Sequence, residues 1–191
     1  MARRTARRAA AAAVCVSLAA AGCGAPLSPG AFGDAGGPAL EPERFFEGRT
    51  VSFGVFEDRG GAPTGRFSTE AAGRREGDGT LVLDQTVRLG DGSVQERTWR
   101  LRRVGAHRYE ATAGPVVGTA LGEAHGRVFH WRYILSLPPG GWLRRVEFEH
   151  WMYLADGGET LLNRFTVRKL GVVVARASEV FHRERALTGG A

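Results

Sequence analysis

The side chains with the most chemistry stand close together in the chain. Glu149-His150-Trp151 is followed, beyond an Asp156-Gly157-Gly158 turn signal, by Asn163-Arg164. A hairpin symmetric about residue 157 sets His150 opposite Arg164, Glu149 opposite Phe165 and Trp151 opposite Asn163. A His, an Arg and an Asn at one end of a β-structure can hydrogen-bond a carboxylate or phosphate head. The plainer reading pairs Arg164 with Glu147 or Glu149 and lets Asn163 satisfy a backbone group.

Other groups narrow the chemistry. His107, His125, His130, His150 and His182 include no H-E-x-x-H spacing. His130 and His150 share parity on segments expected to pair, so a shared metal site is geometrically open, although ordinary strand histidines explain them equally. Ser68, Ser93, Ser136 and Ser178 lack the Gly-x-Ser-x-Gly elbow, which disfavours a hydrolase. No motif calls for a metal or cofactor. Trp99, Trp131 and Trp151, with Phe129, Tyr133 and Phe148, can line an apolar ligand cavity or simply fill a core. Gly114, Gly118, Gly122 and Gly126 recur every four residues; Pro115, Glu123 and His125 exclude a buried membrane helix there, leaving a bend, a bulge or a close strand crossing.

The chain start reads as an address. Arg3, Arg4, Arg7 and Arg8 precede the apolar run Ala9 to Ala21, which is too short for the roughly 20 residues of a spanning helix. Leu18-Ala19-Ala20-Ala21-Gly22-Cys23 resembles a bacterial lipobox, with Ala20 where Leu is usual. Residues 1–22 are then a lipoprotein signal peptide, and Cys23 becomes an acylated first residue that tethers the protein to a membrane without spanning it. Gly24 after the cysteine fits an outer-membrane destination facing the periplasm. Loss of residues 1–22 removes four arginines and no acid from a chain of formal charge +6, which weakens any case for nucleic acid. Cys15 goes with the signal and Cys23 to the lipid, so no thiol is left for a disulfide, a nucleophile or a metal.

The elements that must position these groups are strands. Residues 24–43, with Pro26, Pro29 and Pro38, read as a flexible tether, residues 44–185 as one domain and residues 186–191 as a frayed tail. Within the domain, β-like segments cover 50–57, 66–76, 80–89, 94–104, 108–113, 127–137, 143–154, 159–169 and 172–183, separated by Gly- and Asp-containing turns. No segment of the domain holds a sustained 3.6-residue period. Such a series predicts an all-β, antiparallel up-and-down meander that closes into a lipocalin-like β-barrel, because closure removes exposed edges; a β-sandwich is the alternative.

One family shows the same residues in the same order. Phe46-x-Gly48, Phe53-Gly54-x-Phe56-x-Asp58-Arg59-x-Gly61, Arg66-Phe67, Asp91-Gly92 and Arg97-x-Trp99 open the pattern. Tyr109, Gly118-x-Ala120-x-Gly122, Gly126, Trp151-Met152-Tyr153-Leu154, Asn163-Arg164 and Lys169-x-Gly171 continue it. Over residues 44–183 the chain resembles domain of unknown function 3833, a family of bacterial lipoproteins. The resemblance implies an envelope compartment and a barrel, not a reaction. The chain departs from the pattern at Glu149-His150, where an acidic pair is usual, at Pro115-Val116 and at Gly126-Arg127-Val128.

The expectation is a membrane-anchored barrel that binds or carries an amphipathic, lipid-like small molecule, with Trp99, Trp131, His150, Trp151, Asn163 and Arg164 as ligand-binding candidates. The alternative is a structural or assembly lipoprotein of the envelope that acts through protein contacts. A small enzyme working through His150 and Arg164 is a third reading.

Overall fold

A computed structural model describes residues 28–32, 37–137, 144–155 and 157–184. The signal segment and Cys23 lie outside the described residues, as does the tail. Ten strands form one closed antiparallel barrel in which each strand pairs with its sequence neighbours and the last returns to the first. They are β1 (Gly48–Glu57), β2 (Pro63–Arg75), β3 (Leu81–Leu89), β4 (Val94–Arg103), β5 (Arg108–Thr112), β6 (Val116–His125), β7 (Val128–Ser136), β8 (Arg145–Leu154), β9 (Thr160–Lys169) and β10 (Val172–Arg183). Closure runs through eight pairs from Thr50–Arg183 to Glu57–Arg176, and it excludes the sandwich.

β6, where the sequence shows a glycine repeat, is the strand without an alternating pattern. It is a strand with a bulge: Val117 pairs with Ile134 and Leu121 with Arg132, so two extra residues sit on β6. Gly118, at φ +74°, takes the left-handed conformation that this bulge requires. Gly122 permits a close approach, since a Cβ there would lie 2.7 Å from the Phe129 ring.

Side chains alternate across the wall, and the inner set builds the core from Leu81, Leu83, Trp99, Leu101, Tyr109, Phe129, Leu135, Val146, Met152, Leu161 and Phe165. On β1 the polar parity turns inward. Thr50 and Ser52 are each 1% exposed while Phe53 is 68% exposed. Next to them the Phe67 ring covers Gly54, whose added Cβ would stand 2.2 Å from it, so that inward position has no room for a side chain.

One end of the barrel is plugged. α1 (Pro42–Phe45) starts on a proline, which suits a first helical turn, and drives Phe45 and Phe46 into the opening. Phe46 packs edge-on against Phe181 at 5.4 Å, and its carbonyl fits against Gly73, where a Cβ would be 1.8 Å away. Leu40 is 3% exposed and donates its backbone N–H to Gly126. The boundary expected at residue 44 therefore falls inside the plug, because Leu40 and Pro42 belong to the core. Farther back, the 3-10 turn Pro29–Phe32 lies on the outer wall, with the Phe32 ring 5.8 Å from both Trp151 and Tyr153. Among the described residues no helix is long and apolar enough to cross a membrane, a statement that does not extend to strands.

Candidate functional site

Above the plug the barrel encloses a cavity of about 400 Å³, within the range of small-molecule pockets. Pro42 and Phe46 floor it, while Phe56, Leu89, Leu137 and Val174, all only partly buried, line it toward the opposite rim. The long walls are apolar, with Trp99 4.8 Å and Tyr133 5.1 Å from Trp131, and Tyr133 stacked on Phe148 at 5.3 Å. A wall of fixed aromatic rings presents a broad apolar surface at small conformational cost.

A polar relay is set into this wall. Tyr133 Oη lies 3.1 Å from His150 Nε2, and His150 Nδ1 lies 3.3 Å from Asn163 Oδ1. Asn163 donates through Nδ2 to Glu179 Oε2 at 2.8 Å. Ser52 Oγ lies 2.6 Å and Thr69 Oγ1 3.5 Å from Glu179 Oε1. One proton arrangement satisfies the central run: Tyr133 donates to Nε2, Nδ1–H donates to Asn163, and Asn163 donates to Glu179.

Burial sets the charge of both ionisable members. It lowers the His150 pKa to about 3 despite the opposing hydrogen bond to Asn163, and the positive charge of Arg97 pushes the same way. Burial likewise raises Glu179 above the ordinary carboxylate range, outweighing the hydrogen bonds from Ser52, Asn163 and Thr69. Tyr133 is raised for the same reason. At neutral pH the relay therefore holds a neutral imidazole, and its carboxyl group favours the protonated form more than an exposed glutamate does.

The sequence candidates divide between two faces. Trp99, Trp131, His150 and Asn163 line the cavity. Trp151 and Arg164 do not, and the reason is one residue of register. β8 and β9 pair His150 with Phe165, Trp151 with Arg164 and Met152 with Asn163. The hairpin closes at Ala155, which donates its N–H to Thr160, and Gly157 and Gly158 both adopt positive φ in its loop. That even-length loop shifts the centre of symmetry from residue 157 to a point between 157 and 158. Asn163 thus enters the barrel beside His150, while Arg164 is exposed and Trp151 lies outside on His130 at 4.2 Å.

The same arithmetic separates His130 from His150. His130 pairs with Trp151 and faces outward, bonding Glu149 at 3.1 Å. Glu149 also accepts from Arg168, not Arg164. Burial raises its pKa, but the His130 and Arg168 hydrogen bonds outweigh that and hold it low. Among the described residues no group of three or more His, Cys, Asp or Glu side chains could hold a metal ion. Sequence reasoning missed Glu179, Ser52, Thr69, Gln85 and Arg97. Polar residues at the inward parity of β1 to β4 and β10 were the available signal.

The fold and its lined interior define a lipocalin-like β-barrel. By structure the chain is similar to the S-type phycobiliprotein lyase CPES from Guillardia theta, with a TM-score of 0.55 and 5% identity over 75% of this chain and 91% of that one. It is similar to Rv2717c from M. tuberculosis, with a TM-score of 0.55 and 17% identity over 76% and 99% of the two chains. A protein of unknown function from the DUF3598 family of Nostoc punctiforme gives a TM-score of 0.53 and 15% identity over 78% of this chain and 53% of that one. At such identities the likeness is one of fold. By sequence, the profile of Protein of unknown function (DUF3833) matches residues 18–183, and the chain belongs to that family. No curated protein matches it.

Proposed function

We propose that this protein is an envelope lipoprotein whose barrel binds an amphipathic, lipid-like small molecule. The observation that carries the reading is the cavity of about 400 Å³, apolar along its walls yet fitted with a hydrogen-bonded polar strip. A tightly filled barrel would need neither the void nor buried polar groups, whose desolvation costs about 1–3 kcal/mol each when left unpaired. The lyase-like fold of the Guillardia theta protein is compatible with a small molecule held in a barrel.

The lipobox-like sequence ending at Cys23 supports an acyl anchor, with the barrel facing the periplasm from the outer membrane. Its check is the mass of the N-terminal peptide together with membrane fractionation. We expect acyl mass on Cys23, and release from the membrane in Cys23→Ser; unacylated protein free in the medium contradicts the anchor. The ligand is tested separately, by native mass spectrometry of protein from its own envelope. A retained amphiphile in about one-to-one ratio is expected. An interior that retains nothing and admits no added amphiphile contradicts the binding reading, and recovery of one stoichiometric protein partner instead favours the assembly role.

A further inference from the structure

Outside the relay, the cavity wall carries several hydrogen-bond donors. Arg97 reaches the interior from β4, opposite Gln85 on β3. Among the described residues it makes no hydrogen bond or ion pair. Trp99 donates to Gln85 Oε1 at 3.4 Å, which occupies that amide oxygen and leaves the amide N–H groups to other acceptors. Trp131, whose ring touches Trp99 at 4.8 Å, has a buried indole N–H with no partner. A guanidinium and an amide N–H₂ thus stand beside Trp99, and the indole N–H belongs to the ring packed against it.

Gln95, two residues before Arg97 on β4, also lines the cavity, but its amide oxygen carries no counter-charge. The charge of Arg97 is felt by Tyr133, His150 and Glu179. Yet the first two are neutral at ordinary pH, and Glu179 has its oxygens engaged by Ser52, Thr69 and Asn163. A cation facing an apolar space, with an orphan donor beside it, is an arrangement completed by an acceptor-rich anion.

We infer that the ligand is an anionic amphiphile, its oxyanion head held by Arg97, Gln85 and the Trp131 indole N–H and its apolar body lying along the Tyr133, Phe148 and Phe165 wall. The inference rests on the binding reading above and narrows it to a charge class. Carboxylates and phosphate monoesters share this head chemistry. Arg97 suits either as a planar fork, whereas an uncharged alcohol of equal length leaves the guanidinium desolvated without a counter-charge.

The test is calorimetric titration of the acylated full-length mature protein in detergent with dodecanoate, dodecyl phosphate and dodecanol. We expect at least one of the two anions to bind about tenfold or more tighter than the alcohol, and Arg97→Gln to bring that anion down to the level of the alcohol. Which anion wins distinguishes the two head groups. Equal binding of alcohol and anions, or an anion preference that survives in Arg97→Gln, overturns the inference and leaves the cavity reading standing. Failure of all three probes overturns both. Thermal unfolding of Arg97→Gln beside the parent shows whether lost affinity is lost fold, and Arg97→Lys, which keeps the charge without the fork, is expected to restore part of the preference.

Discussion

His150 makes the barrel sensitive to mild acid, and replacing it should remove that sensitivity. The imidazole titrates near 6.5 in the unfolded chain and near 3 in the folded one. Above pH 6.5 neither state binds the proton and the group contributes no pH dependence. As the pH falls from 6.5 toward 3 the unfolded chain takes up a proton that the barrel refuses, so stability is lost in that window. The full shift corresponds to about 5 kcal/mol, and by about pH 5 the loss is already about 2 kcal/mol. Glu179 works in the opposite sense, its raised pKa removing stability as the pH climbs above its unfolded value of 4.5. That contribution is common to the parent and a His150→Gln variant and cancels between them. Gln can still bond Tyr133 and Asn163. Urea unfolding followed by tryptophan fluorescence at about pH 7.5 and about pH 5 supplies the four free energies required. The parent should lose about 2 kcal/mol more than His150→Gln across the interval; parallel behaviour of the two proteins refutes a buried, neutral imidazole.

Further outcomes follow from the packing. Asn163→Leu strips the central partner from His150 and Glu179 and should cost about 2–4 kcal/mol in denaturant unfolding; a loss below about 1 kcal/mol would mean the relay is not formed. Gly54→Ala places a methyl group against the Phe67 ring and should destabilise the barrel by about 1–3 kcal/mol, whereas Gly92→Ala, with open space around it, should pay only for its positive φ. Arg164→Ala, on the outer wall, should leave the affinity for dodecanoate within about twofold of the parent, and a larger drop would show that the ligand reaches the exterior.

Much of the architecture was legible because strands announce themselves by alternation. Nine segments and their turn residues could be read directly, and a meander of that number closes for a physical reason, the elimination of edges. β6 escaped because its alternation is broken by a two-residue bulge and by Gly118 and Gly122, so its hydrophobic signal is weak where its geometry is most irregular. The site was half legible. Trp99, Trp131, His150 and Asn163 were found through residue type, but placing them needed register, and register rests on loop length that Asp156-Gly157-Gly158 does not disclose. One residue of slip moved Arg164 and Trp151 to the exterior and separated His130 from His150. With His150 facing the cavity and Arg164 exposed outside, the two side chains do not form the pair that the enzyme reading required. Glu179 and Arg97 were missed because a lone acid or arginine in an alternating strand looks like a solvent-facing residue until closure decides which parity is inside.

Photocrosslinking with dodecanoate carrying a diazirine in its tail tests the central claim most directly, since it reports where an amphiphile lies. Peptide mapping should recover label on inward residues such as Phe148, Phe165 and Leu83, competed away by excess dodecanoate. Label confined to outward residues such as Phe53 and Leu162, or no competable label at all, would contradict an interior binding site.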